Sequence, residues 1–212
     1  MSSKDLIKYN LSSNGMTVIL WPVSNSMNVC AHMSYVGVGS QLETQQKSRG
    51  VAHLLEHMIF KGTRGNDSDQ DARQKIIDES PEGKVFSNLI SSGLSLNLGE
   101  CDIDQIGRKF GATLNAFTSS GITSYYFSTT KGNIEPFLCI FADSMAHLHL
   151  TDDHVASEMK AVMQELKMGS DNPIRTALYC VNNTIFPAGT SGHLNTIGNE
   201  EILAATKASY LS

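Results

Sequence analysis

The 212-residue sequence has no apolar run of membrane-spanning length, no internal repeat and no low-complexity stretch. The first absence excludes a helical membrane span, which needs about 20 consecutive apolar residues. The other two exclude a repeat array and a biased tail. Its four cysteines, Cys30, Cys101, Cys139 and Cys180, form no C-x-x-C pair. Neither a zinc knuckle nor a dithiol redox motif is therefore present, and free, mostly buried thiols are expected. Charge is also sparse, with a net of −5 and a pI near 5.8. A weakly acidic chain does not advertise nucleic-acid or anionic-membrane binding. The polar start, Met1-Ser2-Ser3-Lys4-Asp5, leads into no long apolar stretch and is not a signal peptide. A cytoplasmic or organellar-matrix location is the expectation. With 41% hydrophobic residues, the chain is globular and long enough to bury a sizeable core.

Turn and cap signals divide the chain. Asn14-Gly15 marks a hairpin within residues 8–22. Residues 28–38 alternate as a strand closed by Gly37 and Gly39. A polar loop, 41–50, precedes a helix over 51–60 that stops near Gly62. Residues 66–102 read as one or two short helices with loops. Asp102 to Phe110 is a predicted helix stopped by Gly111. Thr113–Ser119 and Thr123–Thr130 form a second hairpin across Ser120-Gly121. Helices follow over 133–148, from Thr151-Asp152-Asp153 to about Lys167, from Pro173 to about Ile185, and from Asn199-Glu200 onward. Hairpins followed by packed helices imply an α+β domain.

The chemistry concentrates in His53-Leu54-Leu55-Glu56-His57. Helix positions four apart share a face, so both imidazoles can reach one tetrahedral metal ion. Glu56 falls beside them as a base for a water on the metal, and the order H-x-x-E-H is a zinc peptidase motif. Leu54 and Leu55 point away, into the core. A catalytic zinc site needs a third protein ligand. Glu165 is the candidate, on a predicted helix with Glu158 two turns earlier on the same face. Glu158 then serves to orient a ligand. His32 lies in a strand without an evident partner, and His147, His149, His154 and His193 read as surface residues.

Several blocks together resemble the inverted-motif zinc metallopeptidases, the pitrilysin, insulinase and mitochondrial-processing-peptidase group. They are Val51–Thr63, Gly111-Ala112-Thr113-Leu114-Asn115-Ala116-Phe117-Thr118, Tyr125-Tyr126-Phe127, Glu158 to Glu165, and the opening Leu11–Met16. The resemblance implies an α+β metallohydrolase half-domain with a mainly antiparallel sheet and flanking helices. It implies one Zn²⁺ held by His53, His57 and Glu165. It implies cleavage of peptides or unfolded polypeptides, with the substrate added as a strand beside Asn115, Ala116 and Phe117. Phe60 and Phe117 are then candidates for an apolar side-chain pocket, or plain core residues.

Two features depart from the family pattern. Glu165 lies 108 positions after His57, an excess assigned to an insertion at 66–102. The chain, taken as a single domain over 1–212, is also short for a family whose members close a chamber with a second homologous half or partner subunit. It therefore reads as a fragment of a longer polypeptide. The leading expectation is a zinc endopeptidase domain with Glu56 as general base. The alternative is an inactive zinc-binding or structural subunit of the same fold that needs a partner half. The intact His53, Glu56, His57 and Glu165 favour the enzyme.

Overall fold

The computed structural model describes residues 6–23, 28–43, 49–61, 103, 107, 111–146, 148, 150–188, 190, 192–193 and 196–206. The 66–102 segment expected as an insertion, with His147 and His149, lies outside the described residues.

Asn14-Gly15 sits inside the hairpin connection between Asn10 and Thr17, closed by the Leu11 N–H donating to the Met16 carbonyl. Gly15 takes a positive φ of 74°, and the Asn14 side chain accepts from the Met16 N–H at 3.0 Å. The turn joins β1 (Ile7–Asn10) antiparallel to β2 (Thr17–Leu20) in a separate two-stranded sheet. Among the described residues the main sheet has three antiparallel strands in the order β3 (Asn28–Val36), β5 (Ile122–Thr130), β4 (Thr113–Thr118). Its register pairs Ala31 with Phe127 and Met33 with Tyr125, and it pairs Leu114 with Phe127 and Ala116 with Tyr125. The sheet's period of two then puts Ala31, Met33, Leu114, Ala116, Tyr125 and Phe127 on one face.

Helices α1 (Val51–Met58) and α2 (Ile134–Ala146) cover that face; α3 (Asp152–Ser170) packs against α1, and α4 (Pro173–Ile185) and α5 (Glu200–Ala204) pack against α3. Ile103 and Gly107, from the helix expected at 102–110, are helical and buried. One core cluster fills the sheet–helix layer with Ile59, Tyr125, Phe127, Phe137 and Phe141. A second joins α1 to α3 and α5 through Leu54, Met58, Val155, Val162 and Leu203. Helix α1 is thus wedged between the sheet and α3, which fixes what it carries. The start of α1 is equally constrained. Gly50 takes φ 89°, and a Cβ there would lie 2.5 Å from the Ile197 carbonyl oxygen. Among the described residues no helix is long and apolar enough to cross a membrane.

The fold is the α+β arrangement expected, and two side-chain expectations need correcting. Cys30 and Cys180 are free thiols as expected, but both are exposed. Cys30 lies on the sheet face that no described helix covers. His32 on the same face does have partners. Its Nε2 is 2.5 Å from the Ser124 hydroxyl, and its ring meets those of Phe117 and Tyr126.

Candidate metal centre

The site starts from the first turn of α1. A helix leaves its first N–H groups without partners, and Gly50 at the cap has no side chain to offer. Glu43 supplies the acceptors from outside the helix. Its Oε2 accepts from the Gly50 N–H at 2.8 Å, and its Oε1 accepts from the Ala52 N–H at 2.7 Å. Burial pushes the Glu43 carboxyl above its ordinary range, and these backbone hydrogen bonds pull it part of the way back.

One turn on, His53 and His57 project side by side from α1, with ring centroids 4.8 Å apart. Helix α3 faces them, started by the Thr151 hydroxyl, which accepts from the His154 N–H at 3.2 Å. Its Glu165 Oε2 lies 3.5 Å from His53 Nε2 and 3.6 Å from His57 Nε2. Two turns earlier, Glu158 Oε2 lies 3.2 Å from His57 Nδ1, and Glu158 Oε1 lies 2.5 Å from Lys61 Nζ. Glu56 is buried beside this cluster, and the Thr118 hydroxyl at the end of β4 donates to its Oε2 at 2.5 Å.

These distances suit a metal ion. Zinc bonds to nitrogen and oxygen are about 2.0–2.2 Å, so neighbouring ligand atoms of a tetrahedron lie roughly 3.4 Å apart. The Glu165 oxygen sits close to that distance from both imidazole nitrogens, and the three ligand atoms lie within 4.8 Å of one another. A second argument is electronic. With its Nδ1–H donated to Glu158, a neutral His57 turns the Nε2 lone pair toward the Glu165 carboxylate. Two electron-rich atoms that face each other need a proton or a cation between them. Burial, and then the neighbouring His57, hold His53 below the usual imidazole range, while Glu165 acts the other way. A neutral imidazole is the form that binds metal. His53 Nδ1 is buried and has no partner among the described residues. Burial also pushes Glu56 above the usual carboxylate range, opposed by the Thr118 hydrogen bond and by His57.

A cavity of about 310 Å³ opens beside the cluster, lined by Glu56, His57, Phe60, Lys61, Leu114, Asn115, Ala116 and Glu158. A larger one, about 720 Å³ against α3, shares none of these residues. The expected residues His53, Glu56, His57, Glu158 and Glu165 therefore come together, with Phe60, Asn115 and Ala116 along the adjoining wall. Phe117 does not join them. It points to the opposite face of the sheet and is 42% exposed against His32. Glu43, Thr118 and Lys61 were not singled out from the sequence. Lys61 and Thr118 each stood inside a motif block, and the missing cap at Gly50 was the one clue to Glu43.

Comparisons with known proteins point to one family. The family model described as insulinase, peptidase family M16, matches residues 19–78 and 87–192. The zinc protease PqqE of Helicobacter pylori is 30% identical over 174 residues, covering 82% of this chain and 32% of that protein. The mitochondrial core protein I of the ubiquinol-cytochrome-c reductase complex of Euglena gracilis is 31% identical over 142 residues, 67% of this chain and 22% of that one. A solved protease structure from Helicobacter pylori superposes with a TM-score of 0.71 at 25% identity, covering 97% of this chain and 41% of its own. The chain thus spans about a third of the length of that zinc protease. On the strength of its matched residues and its fold, the chain belongs to the insulinase family of peptidases, M16.

Proposed function

We propose that the chain is the zinc-binding catalytic domain of an endopeptidase, with His53, His57 and Glu165 as ligands of one zinc ion and Glu56 as general base. The observation that carries this reading is the convergence of two imidazoles and a carboxylate, whose oxygen lies 3.5 and 3.6 Å from the two ring nitrogens, with a second buried carboxylate alongside. A zinc ion held there supplies Lewis acidity, drawing a water's pKa toward about 7 and polarising a carbonyl. The rest falls to the protein. Glu56 takes a proton from the attacking water as the oxygen bonds to the scissile carbonyl carbon. It returns that proton to the leaving nitrogen as the C–N bond breaks. Glu158 holds His57 by its Nδ1–H, leaving Nε2 free as a ligand.

Strand β4 is an edge of its sheet among the described residues. The Ala116 N–H bonds its neighbour's side-chain oxygen, Asn115 Oδ1, at 2.8 Å. A carbonyl of a peptide laid beside β4 as an extra strand takes the place of that side-chain oxygen as the acceptor. Alternate substrate side chains then fall into the cavity walled by Phe60, Leu114 and Ala116. A partner half that completes the enclosure belongs to the same reading.

Metal analysis and peptide cleavage test the proposal. One equivalent of zinc is expected, with chelator-sensitive hydrolysis of a quenched peptide by the full-length protein. Glu56→Gln is expected to keep the zinc and lose the hydrolysis. No bound zinc removes the site assignment, and unchanged turnover in Glu56→Gln removes the base. Zinc without turnover in the full-length protein supports instead an inactive, structural member of the family, a reading that the likeness to core protein I keeps in view.

A further inference from the structure

We propose that the Thr118 hydroxyl is a positioning group for Glu56, and that it ties the orientation of the base to the strand that receives the substrate. The inference rests on the hydrolase reading above. Thr118 is the last residue of β4 and pairs with Thr123 of β5. The strand's alternation puts Leu114, Ala116 and Thr118 on the face toward α1 and Asn115 and Phe117 on the other. Only residues of the first set can touch both the helix and a peptide docked on the α1 side. Of these, Thr118 alone carries a hydrogen-bond donor in its side chain.

Its hydroxyl donates to Glu56 Oε2 at 2.5 Å. The last torsion of a glutamate is broad and nearly two-fold, so a carboxylate held by nothing else exchanges its two oxygens freely. One fixed donor breaks that symmetry. Oε2 is committed to Thr118, and Oε1 is left to receive the proton of the attacking water. During turnover the water's O–H bond breaks and an Oε1–H bond forms. That proton then passes to the leaving nitrogen, and the carboxylate is restored. The Thr118 proton stays on its own oxygen throughout, so the residue orients without taking part in the transfer. Because Thr118 belongs to β4, any shift of that strand moves the base as well. A peptide that settles in register along β4 meets a correctly turned Glu56, and one that distorts the strand does not.

The test compares Thr118→Val, which keeps the branched shape without the donor, with Thr118→Ser, which keeps the donor. It is run on the full-length protein with a quenched peptide. Thr118→Val is expected to lower kcat about 10- to 100-fold, the range for losing one hydrogen bond to a charged group. Its KM is expected to stay within about threefold and its zinc content at one equivalent, since neither ligands nor strand edge is altered. Thr118→Ser is expected to recover most of the lost kcat. Full kcat in the valine variant, or a serine variant as slow as the valine one, overturns the proposal. If the parent binds zinc and hydrolyses nothing, the hydrolase reading fails by itself. Crystal structures of parent and Thr118→Val then judge the positioning separately. A Glu56 carboxylate turned the same way in both overturns it, and a rotated one upholds it.

Discussion

Glu43→Ala tests what holds the helix of the proposed metal site in place. The substitution removes two hydrogen bonds from a buried carboxylate to the first turn of α1, at 2.8 and 2.7 Å. Hydrogen bonds to charged groups contribute about 1.5–3 kcal/mol each, and loss of a helix N-cap costs about 0.5–2 kcal/mol. The two bonds do not add in full. Burial raises the Glu43 pKa, so the ionised carboxylate already offsets part of what its hydrogen bonds contribute. A net loss of about 2–3 kcal/mol follows, with a fall in Tm of roughly 5–10 °C for a chain of this size. Glu43→Gln keeps one acceptor and leaves one N–H unpaired, so about half that loss is expected. Thermal and urea unfolding of the metal-free chain, followed by circular dichroism, reads both variants. Zinc affinity is expected to fall with stability, because His53 stands in the turn that Glu43 holds. A Glu43→Ala chain within about 0.5 kcal/mol of the parent, the spread of ordinary surface substitutions, would refute the capping argument.

Glu158→Ala is expected to weaken zinc binding about 10- to 100-fold, as loss of a ligand's hydrogen-bond partner does elsewhere. Glu165→Ala is expected to weaken it more. Competition against a chromophoric chelator measures both, and the reverse order would contradict the roles assigned here. Leu54→Ala empties a fully buried site between α1 and α3 and is expected to cost about 3 kcal/mol by urea unfolding. A loss under about 1 kcal/mol would mean that this seam does not hold the helices together. The His53 pKa is lowered on folding, so its contribution to the stability of the metal-free chain is present above about pH 6.5. That contribution is lost as pH falls through the lower, folded value, because the unfolded chain then binds the proton more readily. The stability difference between the parent and His53→Gln is therefore expected to move against the parent as pH falls below about 6.5. A flat difference would show that the imidazole titrates alike in both states.

Features written in local sequence were legible. Asn14-Gly15, Thr151 and Asn199 each set an element boundary through a side-chain hydrogen bond to a nearby N–H, and Pro173 opens its helix. The His53, Glu56 and His57 spacing needs only the 3.6-residue turn of one helix. Helix α3 runs to Ser170 rather than to about Lys167, and Asn172 caps the next helix directly afterwards. Features that join distant segments were hidden. Glu43 caps a helix from across a loop, and Thr118 reaches Glu56 from 62 positions away. Strand parity explains the miss at Phe117. Phe117 lies on the face away from Ala116 and packs against His32, whereas Asn115, although of the same parity, still borders the cavity at the open edge of β4. The exposure of Cys30 has the same origin. Alternation identifies two faces of β3, but which face the helices cover is decided by the other elements.

The long separation between His57 and Glu165 does not weaken the site. Their mutual position is set by two helices packed through Leu54, Met58, Val155 and Val162, and by Ile59 and Phe60 locking the end of α1 to the sheet. None of those contacts depends on the length of chain between them. Closing a longer loop costs little, about 0.6 kcal/mol for each doubling of its length. One buried leucine at the α1–α3 seam outweighs that several times over. Extra residues after the zinc-motif helix are thus thermodynamically cheap, provided they leave this seam and the β4–β5 hairpin intact. The same reasoning locates the vulnerable positions. Substitutions at Leu54, Val162 or Gly50 are expected to move His53 and His57 relative to Glu165, although none of the three is itself a proposed ligand.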